Sequence, residues 1–77
     1  MKLPRDVNYK CLAKILSHLG WRPIRTHGSH VRYENMASSR KVTIPKYDYY
    51  TPGLLLELLA EIGLNREEFI RLYEEYC

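Results

Sequence analysis

Near the start of the chain, apolar residues return at three- and four-residue steps: Val7, Cys11, Leu12, Ile15, Leu16 and Leu19. That spacing draws one stripe along a helix. Pro4 suits the first turn and Gly20 the position just past the end, so the pattern predicts a helix from about Pro4 to Leu19. After Gly20 the period changes. Three short segments, WRPIRTH, HVRYE and RKVTI, are rich in β-branched and aromatic residues and alternate in polarity as strands do. Leu54, Leu55, Leu58, Leu59 and Ile62 then restore a helical stripe, opened by Thr51-Pro52 and closed by Gly63. Asn65 with Glu68 three residues later has the spacing of a capping box and opens a last helix carrying Phe69, Ile70, Leu72 and Tyr73.

The order is therefore α-β-β-β-α-α, an α+β fold with a three-stranded antiparallel sheet packed on helices. Gly28-Ser29 separates the first two strands by two residues, and a leading glycine suits a type II′ turn. The register that follows pairs His27 with His30, Thr26 with Val31, Arg25 with Arg32 and Ile24 with Tyr33. One face would carry Ile24, Thr26, Val31 and Tyr33 beneath the helices. The other would carry Arg25, His27, His30 and Arg32. In the third strand Val42 and Ile44 would face the core, with Lys41 and Thr43 outside. NMASSR is the turn before that strand, and Pro23 and Pro45 bound the strand ends.

Seventy-seven residues make one domain, expected to span 1–77 with residues 65–77 as a C-terminal extension helix. A chain this short hides only about 60% of its unfolded surface, which leaves a thin core. A hydrophobic content of 45% still allows it to fold without staples. Cys11 in the helical stripe and Cys77 at the last position look like a poor disulfide framework. MKLPRDVNYK lacks the apolar stretch of a secretory signal, and no apolar run nears the roughly 18–20 residues that span a bilayer. The expectation is a reduced, cytoplasmic, soluble protein with no membrane partner.

Charge changes the picture. Residues 1–46 hold ten Lys/Arg against Asp6 and Glu34, a balance of +8, whereas residues 47–77 hold two against seven acids, a balance of −5. Such asymmetry points to a nucleic-acid partner for the basic half, or to attraction between the halves or to another chain.

The hairpin tip THGSHVRYE concentrates the candidate chemistry. Histidine exchanges protons near neutrality. In RNA cleavage it can deprotonate a 2′-hydroxyl or protonate the leaving 5′-oxygen. Cross-strand neighbours lie roughly 4.5–5.5 Å apart at Cβ, so His27 and His30 would resist a double positive charge. Arg25, Arg32, Lys41 and Lys46 can hold phosphate and stabilise developing charge. The bland alternative is a pair of exposed strand histidines without a task. Two imidazoles fall short of the three or four protein ligands zinc usually needs, and neither cysteine obviously joins them, so no metal or other cofactor is expected. His18 is expected to meet the C-terminal end of its own helix. Trp21 belongs to the core. Tyr47, Tyr49 and Tyr50 beside Lys46 either stack bases of single-stranded RNA or fill the gap between sheet and helix. The acidic last helix is expected to be a solvated face.

Leu19-Gly20-Trp21, Gly28-Ser29-His30, Val42-Thr43-Ile44-Pro45, Gly53-Leu54 and Ile62-Gly63-Leu64, in this order along nearly the whole chain, resemble the HicA toxin family. The resemblance implies a fold like the double-stranded-RNA-binding domain. It also implies a toxin of a type II toxin–antitoxin system that cleaves messenger RNA without a metal, and a cognate HicB-type antitoxin that blocks it. The family's essential histidine follows the Gly-Ser of the hairpin, which here is His30. With it go Gly28, Ser29, Arg25, Arg32, Lys41 and Lys46 as the expected RNA contacts and His27 as a possible assistant. The chain departs from the family in having Val31 where many members have a second histidine, and in the less basic loop KYDYYTPG. It also runs on past Ile62-Gly63-Leu64 by an acidic helix, with antitoxin contact or oligomer formation as possible roles. The alternatives to catalysis are an RNA-binding module of the same fold and a pure protein-interaction domain.

Overall fold

The structure, a computed structural model, describes residues 3–77. Its elements are α1 (Tyr9–His18), β1 (Trp21–His27), β2 (His30–Asn35), β3 (Lys41–Pro45), α2 (Pro52–Ile62) and α3 (Arg66–Tyr76). The strands form one antiparallel sheet in the order β1-β2-β3. The chain is thus α+β, three helices with a three-stranded antiparallel sheet, as the polarity pattern predicts. α1 packs against β1 and α2 against β3, and α3 lies against α1.

α1 begins later than Pro4 because Asn8 caps it, its side chain accepting a hydrogen bond from the Cys11 amide at 2.9 Å. Val7 still joins the core, but from the extended segment before the helix, where its carbonyl accepts from the Tyr50 amide. α2 opens on Thr51 and ends where Gly63 turns left-handed at φ 92°. The Asn65–Glu68 capping box forms in both directions and starts α3. Inward-facing Val31, Tyr33, Val42 and Ile44 join the apolar stripes of α1 and α2, Trp21, Tyr50 and Phe69 in one buried cluster.

The sheet departs from the expected register at one place. Pro23, not Ile24, pairs with Tyr33, and the ladder resumes at Arg25–Arg32 after a bulge. Pro23 has no N–H for the ladder, and proline inside a strand belongs at edges or bulges, both of which hold here. The extra residue turns Ile24 outward, where it is 45% exposed rather than packed under the helices. Thr26 is exposed as well, although its ladder partner Val31 is buried.

The cysteines also correct the sequence reading. Cys11 and Cys77 form a disulfide, their Cα atoms 5.3 Å apart. Residue spacing could not show this, because the pair meets only when α3 folds back across α1. The bond removes the cysteine-based reason for assigning a reducing compartment. His18, in the last turn of α1, also meets α3: its Nδ1 lies 2.7 Å from the Tyr76 hydroxyl, and the two rings are 4.7 Å apart. Among the described residues no helix is long and apolar enough to cross a membrane.

Candidate active site

The tip of the β1–β2 hairpin is built by Gly28. Its φ is +62°, and Ser29 does not share the positive value, the pattern of a type II′ turn. A Cβ at Gly28 would meet no atom within 4 Å, so glycine is required here by backbone conformation and not by crowding. The turn fixes His27 directly opposite His30, with both side chains exposed. The Ser29 hydroxyl lies 3.4 Å from His30 Nδ1, a long contact. A hydroxyl donating there places the proton of a neutral ring on Nε2.

Two residues along the same sheet face, Arg25 stands opposite Arg32. Like charges directly opposed on a ladder repel, and an anion between them removes that cost. Arg32 is steadied from the third strand, its Nη1 donating to Thr43 Oγ1 at 3.2 Å. Arg25, Arg32, Lys41 and the bulged Ile24 line a shallow groove of about 260 Å³. Lys41 pairs in the ladder with Glu34. The outer face of the sheet is therefore a strip of cations leading to two histidines.

Lys46 lies elsewhere. Its amide donates to the Ser29 carbonyl at 2.7 Å, which ties the loop after β3 to the hairpin tip. Its ammonium stands 5.8 Å from the centre of the Tyr9 ring. Tyr9 belongs to the helical side of the sheet, where its hydroxyl meets that of Tyr33 at 2.6 Å. The candidate residues thus divide into an outer-face group and Lys46 on the opposite flank of the tip. The three tyrosines divide as well. Tyr50 is buried and donates its hydroxyl to the Pro45 carbonyl, filling the gap between sheet and helix. Tyr47 and Tyr49 are exposed. Burial drives the Tyr50 hydroxyl up to about 12, and burial together with the Tyr9 hydroxyl raises Tyr33 further.

Three residues around the hairpin tip, Ile24, Tyr9 and Lys10, escape sequence reasoning. Ile24 reaches the outer groove only through the bulge, whose signal was Pro23. Tyr9 and Lys10 reach the Lys46 flank only because α1 lies beside the loop after β3. Among the described residues, no three His, Cys, Asp or Glu side chains are grouped to hold a metal ion.

Residues 9–64, from the start of α1 to the end of α2 and the residues capping it, match the sequence profile of the HicA toxin of bacterial toxin–antitoxin systems. The chain belongs to the HicA toxin family. It is accordingly the toxin of a toxin–antitoxin pair, with a cognate antitoxin as its partner. No curated protein and no solved structure matches the chain. The match covers the hairpin and the histidine-bearing face of this HicA protein and stops before α3.

Proposed function

We propose that this HicA toxin is an endoribonuclease that cuts single-stranded messenger RNA with His30 as general acid or base and no metal ion in the step. The observation that carries the reading is the exposed His27–His30 pair at the rim of the Arg25–Arg32–Lys41 groove. One imidazole takes the proton of a 2′-hydroxyl, whose oxygen attacks the neighbouring phosphorus. The bond to the 5′-oxygen breaks, and that oxygen leaves with a proton from the other imidazole. The products are a 2′,3′-cyclic phosphate and a 5′-hydroxyl end. Arg25, Arg32 and Lys41 hold phosphate oxygens, with Lys46 on the far side of the tip. Charge-assisted hydrogen bonds from guanidinium groups are the strong ones for this purpose. Gly28 and Ser29 let the backbone approach closely. A HicB-type antitoxin inhibits the toxin by covering this face, and the messenger substrate places its work in the cytoplasm.

The test is cleavage of mixed messenger RNA in EDTA by the parent and by His30→Ala, with folding followed by circular dichroism. A positioned acid–base group contributes about 10²–10⁴-fold, so His30→Ala should lose at least ~10²-fold in rate while staying folded. Equal cleavage by the two proteins overturns the role of His30. Binding without cleavage by the parent makes the protein an RNA-binding module.

A further inference from the structure

On the helical flank of the hairpin tip, Asn8, Tyr9, Lys10, Lys46, Tyr47 and Asp48 line a second groove, of about 300 Å³. Resting on the ribonuclease reading, we propose that this groove is a base-stacking subsite for a nucleotide next to the scissile phosphate, with the Tyr47 ring as its platform.

Three observations converge on it. The first is exposure: Tyr47 leaves 42% of its surface in water, where an aromatic ring gains most from covering by another flat face. The second is that the ring is held before any ligand arrives. The Tyr47 amide donates to the Pro45 carbonyl, its carbonyl accepts from the Tyr9 amide at 3.0 Å, and its ring packs on Tyr50 at 6.0 Å. A platform fixed in advance loses little freedom on binding. The third is its company. Lys46 and Lys10 supply cations for the backbone of the same nucleotide, and aromatics beside cations are what single strands select. Asp48, which can only accept hydrogen bonds, suits a base edge and repels phosphate.

The groove is also within reach of the chemistry. Pro45 is the ladder partner of His30, and Lys46 follows it. Successive Cα atoms are about 3.8 Å apart and ladder partners about 5.5 Å, so Lys46 Cα lies within roughly 9 Å of His30 Cα. The strand passes from the Arg25–Arg32 groove over the tip into the aromatic groove. Double-stranded RNA, whose bases are stacked on each other, cannot use this platform.

The experiment measures affinity in the uncleaving His30→Ala background, for a short single-stranded RNA and for the same chain carrying abasic positions. The base-bearing RNA should bind more tightly by roughly 5- to 150-fold, the worth of one stacked base. Adding Tyr47→Leu, which keeps an apolar contact with Tyr50, should abolish that difference, and Tyr47→Phe should retain it. Equal affinity for the two RNAs, or a Tyr47→Leu protein that binds as its parent does, overturns the subsite while leaving cleavage through His30 standing. A parent that neither cuts nor binds RNA overturns both readings.

Discussion

His30 and Ile24 sit six residues apart in one hairpin, yet only the first was placed correctly by alternation. Counting outward from Gly28-Ser29 fixes His27 against His30 and Arg25 against Arg32, because a two-residue turn leaves no freedom in register. Beyond Arg25 the count fails, since Pro23 cannot donate to the ladder and the strand takes up one extra residue. The candidate site was therefore legible near the turn and became unreliable with distance from it. The buried tyrosines carry a prediction at this same scale. Burial favours the neutral hydroxyl of Tyr33 and of Tyr50, so both ionise at higher pH in the folded protein than in the unfolded chain. Their contribution to stability is fully present below the ordinary tyrosine value of about 10 and is lost as pH climbs from there, through about 12 for Tyr50 and higher still for Tyr33. Thermal melting across that range should show the parent losing stability faster than Tyr33→Phe/Tyr50→Phe. At neutral pH the variant should itself be weaker, by about 0.5–1.5 kcal/mol for each lost hydrogen bond. Parallel losses of parent and variant at alkaline pH would show that these hydroxyls do not set the alkaline limit.

Helices were easier to find than to assign. The stripe and caps of α2 and the Asn65–Glu68 box of α3 are local features, and the structure reproduces them. What α3 does is not local. It lies beyond the HicA match and carries most of the acidic charge of the second half, which made it look like a solvated face. The exposed glutamates agree, but Phe69 on its other side is fully buried with the residues of α1, α2 and the sheet. Nothing in the sequence says which surface receives that ring, because the receiving stripe is assembled from several elements. Phe69→Ala should cost about 3–5 kcal/mol in urea unfolding, against about 1 kcal/mol for loss of the cap in Asn65→Ala. For a domain whose whole stability is typically 5–15 kcal/mol, the first leaves little margin. If both substitutions cost under 1 kcal/mol, α3 is an appendage and the core closes without it.

At the scale of the whole molecule, two tasks occupy opposite regions. The basic half builds the sheet face and the hairpin tip, where RNA is proposed to lie. The acidic end folds onto α1 and is joined there through Cys11 and Cys77, 66 residues apart in sequence. Composition suggested a chain able to fold without staples, yet a core this small gains much from closing so long a loop. In the chain-entropy picture a loop of that length is worth about 4 kcal/mol, because the unfolded chain loses its freedom to separate the ends. Reduction, or Cys77→Ser, should therefore lower the melting temperature substantially. It should leave RNA cleavage well below the melt unchanged, since α3 packs on α1 and the histidines stand at the far tip of the hairpin. The two readouts separate the possible roles of the bond. Lower stability with constant cleavage makes it a staple for the scaffold. Constant stability with altered cleavage would mean that α3 acts on the hairpin, and the division of tasks between the two regions would fail. Loss of both would show that the site depends on the whole fold, which a thin core shared by all three helices and the sheet makes the expected limit as the temperature nears the melt.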